Sequence, residues 1–251
     1  MLAARAAGRE LLAAWTQTLE VVHQDEGDIK LEMDRRAEAI VLDTIRGRFP
    51  GHGFLSEECG EIPGEGVQWI VDPLDGTHNY FRRIPYWCVS VGAVIEGEPR
   101  LGVIYDPVRD QMVAGEEGGG VRLNGEPVRV SDAKSLSGSI VSFGCYHREK
   151  ASVEAWLRRT GWITPRARSM RNMGAAAMHC AYVACGQAEA FVEYGVRLWD
   201  VAAGVALATE AGGRVSQWPC GDGGIDIVLA APAVHDELLA SGLWPFSKEA
   251  E

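Results

Sequence analysis

From Val67 to Val130 the chain repeats one pattern, a short run rich in β-branched and apolar residues followed by a turn. WIVD, CVSVGAVIEG, RLGVIYDP, QMVAGEEGGG and VRLNGEPVRV succeed one another, punctuated by Glu96-Gly97, Asp106-Pro107 and Asn124-Gly125. X-Gly pairs suit the tight turns that join twisted neighbouring strands, so this stretch predicts an antiparallel meander.

The flanks read differently. Residues 2–24 and 34–48 carry apolar residues at helical spacing, with DEGD as a polar loop between them, and GHGFLSEECG then breaks the helical pattern. After about residue 133 strands alternate with helices. SIVSFG and AEAFVEY read as strands, and residues 149–160, 174–185 and 199–212 as helices, the last closed by Gly212-Gly213. No repeat, low-complexity tract or long linker intervenes. The expectation is a single domain over 1–251, with an N-terminal α+β half (about 1–133) and a C-terminal α/β half (about 134–251).

A length of 251 residues with 47% apolar content suffices for a large core. The formal net charge of -11 argues against a nucleic-acid-binding surface, which would need clustered Lys and Arg, and against an anionic membrane. Six cysteines are scattered without C-x-x-C or zinc-finger spacing, as buried thiols of a reducing compartment would be. Arg5, Arg9 and Glu10 interrupt the first apolar stretch, unlike a signal peptide, and no run is long enough to span a bilayer. A cytoplasmic location is the expectation.

Within WIVDPLDGTHNY an apolar run ends at two acids, Asp72 and Asp75, just before Gly76-Thr77. Taken alone, D-G is ordinary turn chemistry. A strand ending there, with a helix starting beside it, would however gather two carboxylates and free backbone N–H groups at one strand end. Two anions held close repel unless a cation lies between them, and hard carboxylate oxygens favour Mg²⁺ over zinc.

Three further stretches bear on this. FLSEECG supplies Glu57 and Glu58, otherwise a solvated loop. RLWDVAAG places Asp200 at the start of an apolar helix, where an N-cap role is the plain alternative. SFGCYH and MGAAA, the latter containing Ala176, are small-residue turns that let backbone approach a ligand or another helix.

Taken in order, the E-E pair, DPLDGTHNY, the DPVRDQMVAGEEGGGVRLNGEPVRVS stretch and WDVAAG with the following EAGG resemble the inositol monophosphatase family of Mg²⁺-dependent, lithium-sensitive phosphatases, over roughly residues 20–230. That family also includes archaeal-type fructose-1,6-bisphosphatases. The resemblance implies a layered α/β/α/β/α sandwich, the first half carrying a larger antiparallel-type sheet and the second a smaller mixed one, and a homodimer. It implies that Glu57, Asp72 and the carbonyl of Leu74 bind one metal, and that Asp72, Asp75 and Asp200 bind a second. Gly76 and Thr77 would offer N–H groups to the substrate phosphate, and Thr77 with Glu57 would position the attacking water. Glu193, with Asp75, Ala176 and Asp200, would contact the substrate. Four carboxylates and a phosphate monoester sum to about -6, which about two to three Mg²⁺ ions would balance.

The chain departs from the family pattern at Lys30 and Leu31, where a threonine is usual, and at His23, where a lysine is common. These changes bear on a third, weaker metal site. His78, Tyr80 and Cys145 also differ from the common residues. The D-x-D-x-T nucleophile of haloacid dehalogenases does not fit, because two residues separate Asp72 from Asp75. Inositol phosphate, fructose 1,6-bisphosphate and a nucleotide phosphate remain open as substrates, as does a non-catalytic metal-dependent binder. Arg82, Arg83, Arg166, Arg168 and Arg171 are either receivers of a second phosphate or solvated surface.

Overall fold

The computed structural model describes residues 1–18, 20–24, 29–144, 150–221 and 223–246. The first half runs α1 (Leu2–Ala14), β1 (Val21–Gln24), β2 (Ile29–Leu31), α2 (Glu32–Arg46), β3 (Gly53–Ser56), β4 (Gly60–Ile62), β5 (Val67–Asp75), α3 (Thr77–Phe81), β6 (Cys88–Ile95), β7 (Glu98–Asp106), β8 (Gln111–Glu116), β9 (Gly120–Leu123) and β10 (Glu126–Val128). A 3₁₀ turn at Leu136–Gly138 then leads to β11 (Ile140–Phe143), α4 (Lys150–Ile163), β12 (Ser169–Arg171), α5 (Ala176–Ala184), β13 (Ala190–Val196), α6 (Leu198–Glu210), β14 (Arg214–Cys220), β15 (Gly224–Ala230) and α7 (Pro232–Ala240).

The expected meander is present as the greater part of an eight-stranded sheet, ordered β10-β9-β8-β7-β6-β5-β3-β4. Its neighbours are antiparallel except for the parallel β3–β5 pair. The second sheet, β12-β11-β13-β15-β14, is mixed. Helices α1 and α2 cover one face of the large sheet, and α6, with α5 beside it, packs on the other and reaches the small sheet, whose far side is covered by α4 and α7. The layers are therefore α/β/α/β/α. Helix α6 fits between two sheets because its buried face is nearly all Ala, Gly and Val, which keeps the layers close.

Two expectations need correcting. The first helix ends at Ala14 rather than 24, and Val21–Gln24 instead pairs antiparallel with Ile29–Leu31. Trp15 explains the break, since its indole N–H donates to the Tyr80 carbonyl at 2.9 Å and its ring meets Trp87 edge-on at 5.6 Å. Beyond it, β-branched Val21 and Val22 favour a strand over a helix. The second helix begins at Glu32, earlier than 34, because the Asp34 carboxylate accepts the Leu31 N–H and closes the first turn. The DEGD loop lies outside the described residues. Among the described residues no helix is long and apolar enough to cross a membrane.

Candidate active site

Strand β5 becomes steadily more buried, and its last six residues, from Ile70 to Asp75, are all buried. It therefore carries Asp72 and Asp75 into the interior. In a regular strand, residues three apart face opposite sides. Here the pairing with β6 breaks between Asp72 and Asp75, around Pro73, and the irregularity resets the alternation. Asp72 Oδ1 accepts the Leu74 N–H at 3.0 Å, and the Leu74 carbonyl accepts the Thr77 hydroxyl at 3.0 Å. Gly76 then turns the chain at φ 89 into α3, and a Cβ there would lie 3.0 Å from the Tyr86 carbonyl oxygen. The first N–H groups of that turn have no partner within the helix.

Asp75 reaches into the second half of the chain. Its Oδ1 accepts the Ala176 N–H at 3.1 Å and its Oδ2 the Ala177 N–H at 2.8 Å, with the Cys88 thiol at 3.6 Å. Helix α5 has Ala175 at its N-cap and no side-chain cap of its own, so Asp75 supplies one from a distance. Asn79, from α3, holds the approach to that helix, its Nδ2 donating to the carbonyls of Tyr86 at 2.8 Å and Met173 at 2.7 Å.

Glu57 sits just beyond β3 on a loop fixed by Glu38. The buried Glu38 carboxylate accepts the N–H groups of Glu58 at 3.2 Å and Cys59 at 3.1 Å, together with the Ser56 hydroxyl. Asp200 lies in the first turn of α6, and its Oδ2 accepts the Arg197 N–H at 2.7 Å. The N-cap residue is therefore Arg197 rather than Asp200, which stands at the third helical position and accepts the N-cap N–H. Glu193 stands on β13 just before an irregularity in its pairing with β15 at Tyr194–Val196.

These five carboxyls repel one another electrostatically. Burial, then the charges of Glu57, Asp75 and Asp200, hold the Asp72 carboxyl well above the usual carboxylate range. Burial and then Asp200 push Glu57 up, with Lys30 opposing. Burial and then Asp200 raise Asp75 to about 7, burial raises Asp200 to about 6, and burial with Asp200 and Asp75 raises Glu193 to about 8. Glu57, Asp200 and Glu193 keep part of their surface open, so solvent weakens the effect there relative to the fully enclosed Asp72.

Among the described residues, no three His, Cys, Asp or Glu side chains stand close enough together to form a ready-made cage for an ion. The chemistry of the carboxyl set nonetheless fits a hard divalent cation, being all oxygen and short of positive charge. Holding one requires the side chains of Glu57, Asp72, Asp75 and Asp200 to close on it.

The other residues singled out in the sequence fall as follows. Lys30 pairs with Glu58 at 2.7 Å and so brings positive charge near Glu57. Leu31 is buried in the core. His23, His78 and the five arginines (Arg82, Arg83, Arg166, Arg168 and Arg171) are exposed, and Cys145 lies outside the described residues. Ala176, expected to contact the substrate, gives its backbone N–H to Asp75. Glu38 and Asn79 went unread in the sequence. Glu38 had a signal, an acid at helical spacing within the buried stripe Met33, Ala37, Val41, Ile45 of α2. Asn79 had none, because its partners are remote carbonyls.

A family model described as the inositol monophosphatase family matches residues 1–247. The Nus factor SuhB of Xylella fastidiosa is 38% identical over 222 residues, covering 88% of this chain and 81% of that protein. An inositol-1-monophosphatase of Mesorhizobium japonicum is 38% identical over 230 residues, covering 90% and 85%. Among solved structures, the extragenic suppressor protein suhB from Bartonella henselae superposes with a TM-score of 0.89 at 32% identity, covering 98% and 97%. Matched along nearly its whole length and at these identities, the chain belongs to the inositol monophosphatase family.

Proposed function

We propose that this chain is a Mg²⁺-dependent phosphomonoesterase that hydrolyses a small phosphorylated polyol, inositol monophosphate first among them. The arrangement that carries this reading brings Glu57 from a loop, Asp75 from the same strand end and Asp200 from a helix start near enough to the enclosed Asp72 for the charges of all three to raise its carboxyl. The family as a whole is generally Mg²⁺-dependent. Those four carboxylates, with the Leu74 carbonyl, would hold the ions. Bound Mg²⁺ supplies a Lewis acid and makes nearby water more acidic.

The protein's own groups do the rest. Thr77 spends its hydroxyl hydrogen on the Leu74 carbonyl, which leaves its oxygen free to accept a hydrogen bond from the attacking water. Glu57, at the rim of the set, accepts that water's proton at its carboxylate. The unpartnered N–H groups at Gly76 and Thr77 face the phosphate oxygens. Glu193 accepts hydrogen bonds from vicinal hydroxyls of the leaving polyol. Among the described residues, the cations acting on the set are Lys30 and Arg197, whereas the five arginines that could take a second phosphate are exposed. That balance favours a monophosphate over fructose 1,6-bisphosphate or a nucleotide bisphosphate.

The names of the relatives divide between a phosphatase and a Nus factor, which favours a non-catalytic, partner-binding role as the second reading. Phosphate release from inositol 1-phosphate, fructose 1,6-bisphosphate, 3'-phosphoadenosine 5'-phosphate and NADP, with and without Mg²⁺ and with lithium, separates the two. Metal-dependent release from inositol 1-phosphate supports the first. Silence across the panel, with Mg²⁺ still binding, supports the second.

A further inference from the structure

Gly144, at the end of β11, faces Glu193 on the neighbouring strand β13, where Phe143 is paired with Val192. A Cβ built on Gly144 would lie 2.0 Å from Glu193 Oε2, 2.2 Å from its carboxyl carbon and 2.4 Å from Oε1. Every one of these distances is far inside van der Waals contact, so the carboxyl group occupies the place a side chain at 144 would take. Backbone conformation gives no other reason for glycine, since Gly144 is not among the residues with positive φ. The carboxyl also borders a cavity of about 10 Å³ lined by Phe143, Gly144, Trp156, Thr160 and Tyr194. It has room for a water at most, not a carboxylate.

We infer that Gly144 is a specificity-determining positioning residue: its missing side chain leaves the Glu193 carboxylate its seat against β11, from which it reads the hydroxyls of a polyol phosphate. The inference rests on the substrate reading given above. The charges of Asp200 and Asp75 add to burial in raising the Glu193 carboxyl. A methyl at 144 meets the far end of a flexible side chain rather than backbone, so the change displaces the carboxylate and leaves the fold standing.

The test compares wild type with Gly144→Ala on inositol 1-phosphate and on p-nitrophenyl phosphate, which has no vicinal hydroxyls. KM for inositol 1-phosphate should rise by about tenfold, the worth of one lost hydrogen bond, with p-nitrophenyl phosphate turnover unchanged. Adding Glu193→Asp, which shortens the acid, should recover part of the loss. An unchanged KM, or an equal loss on both substrates, overturns the inference. Crystal structures of the two proteins test the steric half without turnover. A displaced Glu193 carboxylate on an unmoved backbone supports it, and an unmoved carboxylate overturns it. If wild type shows no preference for the polyol ester while the carboxylate does move, the substrate reading fails and the positioning survives.

Discussion

Asp75 Oδ2 lies 2.8 Å from the backbone nitrogen of Ala177, so an acid closing β5 also caps a helix that begins 101 residues later. One side chain therefore serves the carboxyl cluster and the joint between the two sheets' layers. Asp75→Asn keeps one acceptor oxygen for that cap and loses the other, at a cost of about 1 kcal/mol, while relief of repulsion offsets it. Its melting temperature without metal should stay near that of wild type, with Mg²⁺-dependent turnover lost. A large drop in melting temperature would show that the cap outweighs the repulsion.

Asp200→Asn is the cleaner probe of that repulsion, because the asparagine oxygen can still accept the Arg197 N–H. Asp200 and Asp75 have pKa values raised in the fold, to about 6 and about 7. A raised carboxyl favours folding only while it stays protonated, so the metal-free protein loses this stability as pH climbs from the usual carboxylate range through those values. Buried His179, pushed down to about 4 by burial, works in the opposite sense, adding stability as pH rises from about 4 to its ordinary value. The difference between wild type and Asp200→Asn cancels the histidine. Metal-free denaturation at several pH values should show the variant's advantage growing from pH 4 to 7, and a flat difference would contradict it.

Glu38 anchors the loop that carries Glu57. Replacing it by alanine removes one acceptor shared by Ser56, Glu58 and Cys59, with an expected loss of about 2–4 kcal/mol. Thermal denaturation measures that loss. Mg²⁺ binding should weaken in the same variant, because Glu57 loses its place.

Arg159 and Asp226 form a nearly enclosed pair, with N–O contacts of 2.7 and 2.6 Å, roofed by the Trp244 ring at 4.7 Å. Arg159→Met leaves a buried carboxylate without its partner and should cost about 3–5 kcal/mol in urea denaturation. Replacing both members with apolar residues should recover much of it.

The strands from Val67 onward and the acids of DPLDGT could be read directly, because both depend on local pattern. Helices 32–46, 150–163, 176–184 and 198–210 were also legible from their spacing, within a few residues at each end. The β1–β2 hairpin was not, since the helical rhythm of the first residues runs on past Trp15, and only the tertiary contact to Tyr80 stops it. Strands β14 and β15 and helix α7 went unread, although IDIVLA is a strong apolar run. Within the site, the acids were visible as residue types. Their supports were not, because the Asp75–Ala177 and Asn79–Met173 bonds join residues about a hundred positions apart. Gly144 gave only the signal of a small-residue turn, with no sign of the acid it faces.

The most direct test of the central claim is phosphate release from inositol 1-phosphate by wild type and Asp72→Asn across a Mg²⁺ titration. Asp72 is the most enclosed of the four acids and feels the other three. The wild type should turn over only with Mg²⁺, and the variant should fall by more than about 100-fold. Near-normal turnover in Asp72→Asn, or metal-independent release by wild type, would contradict the account.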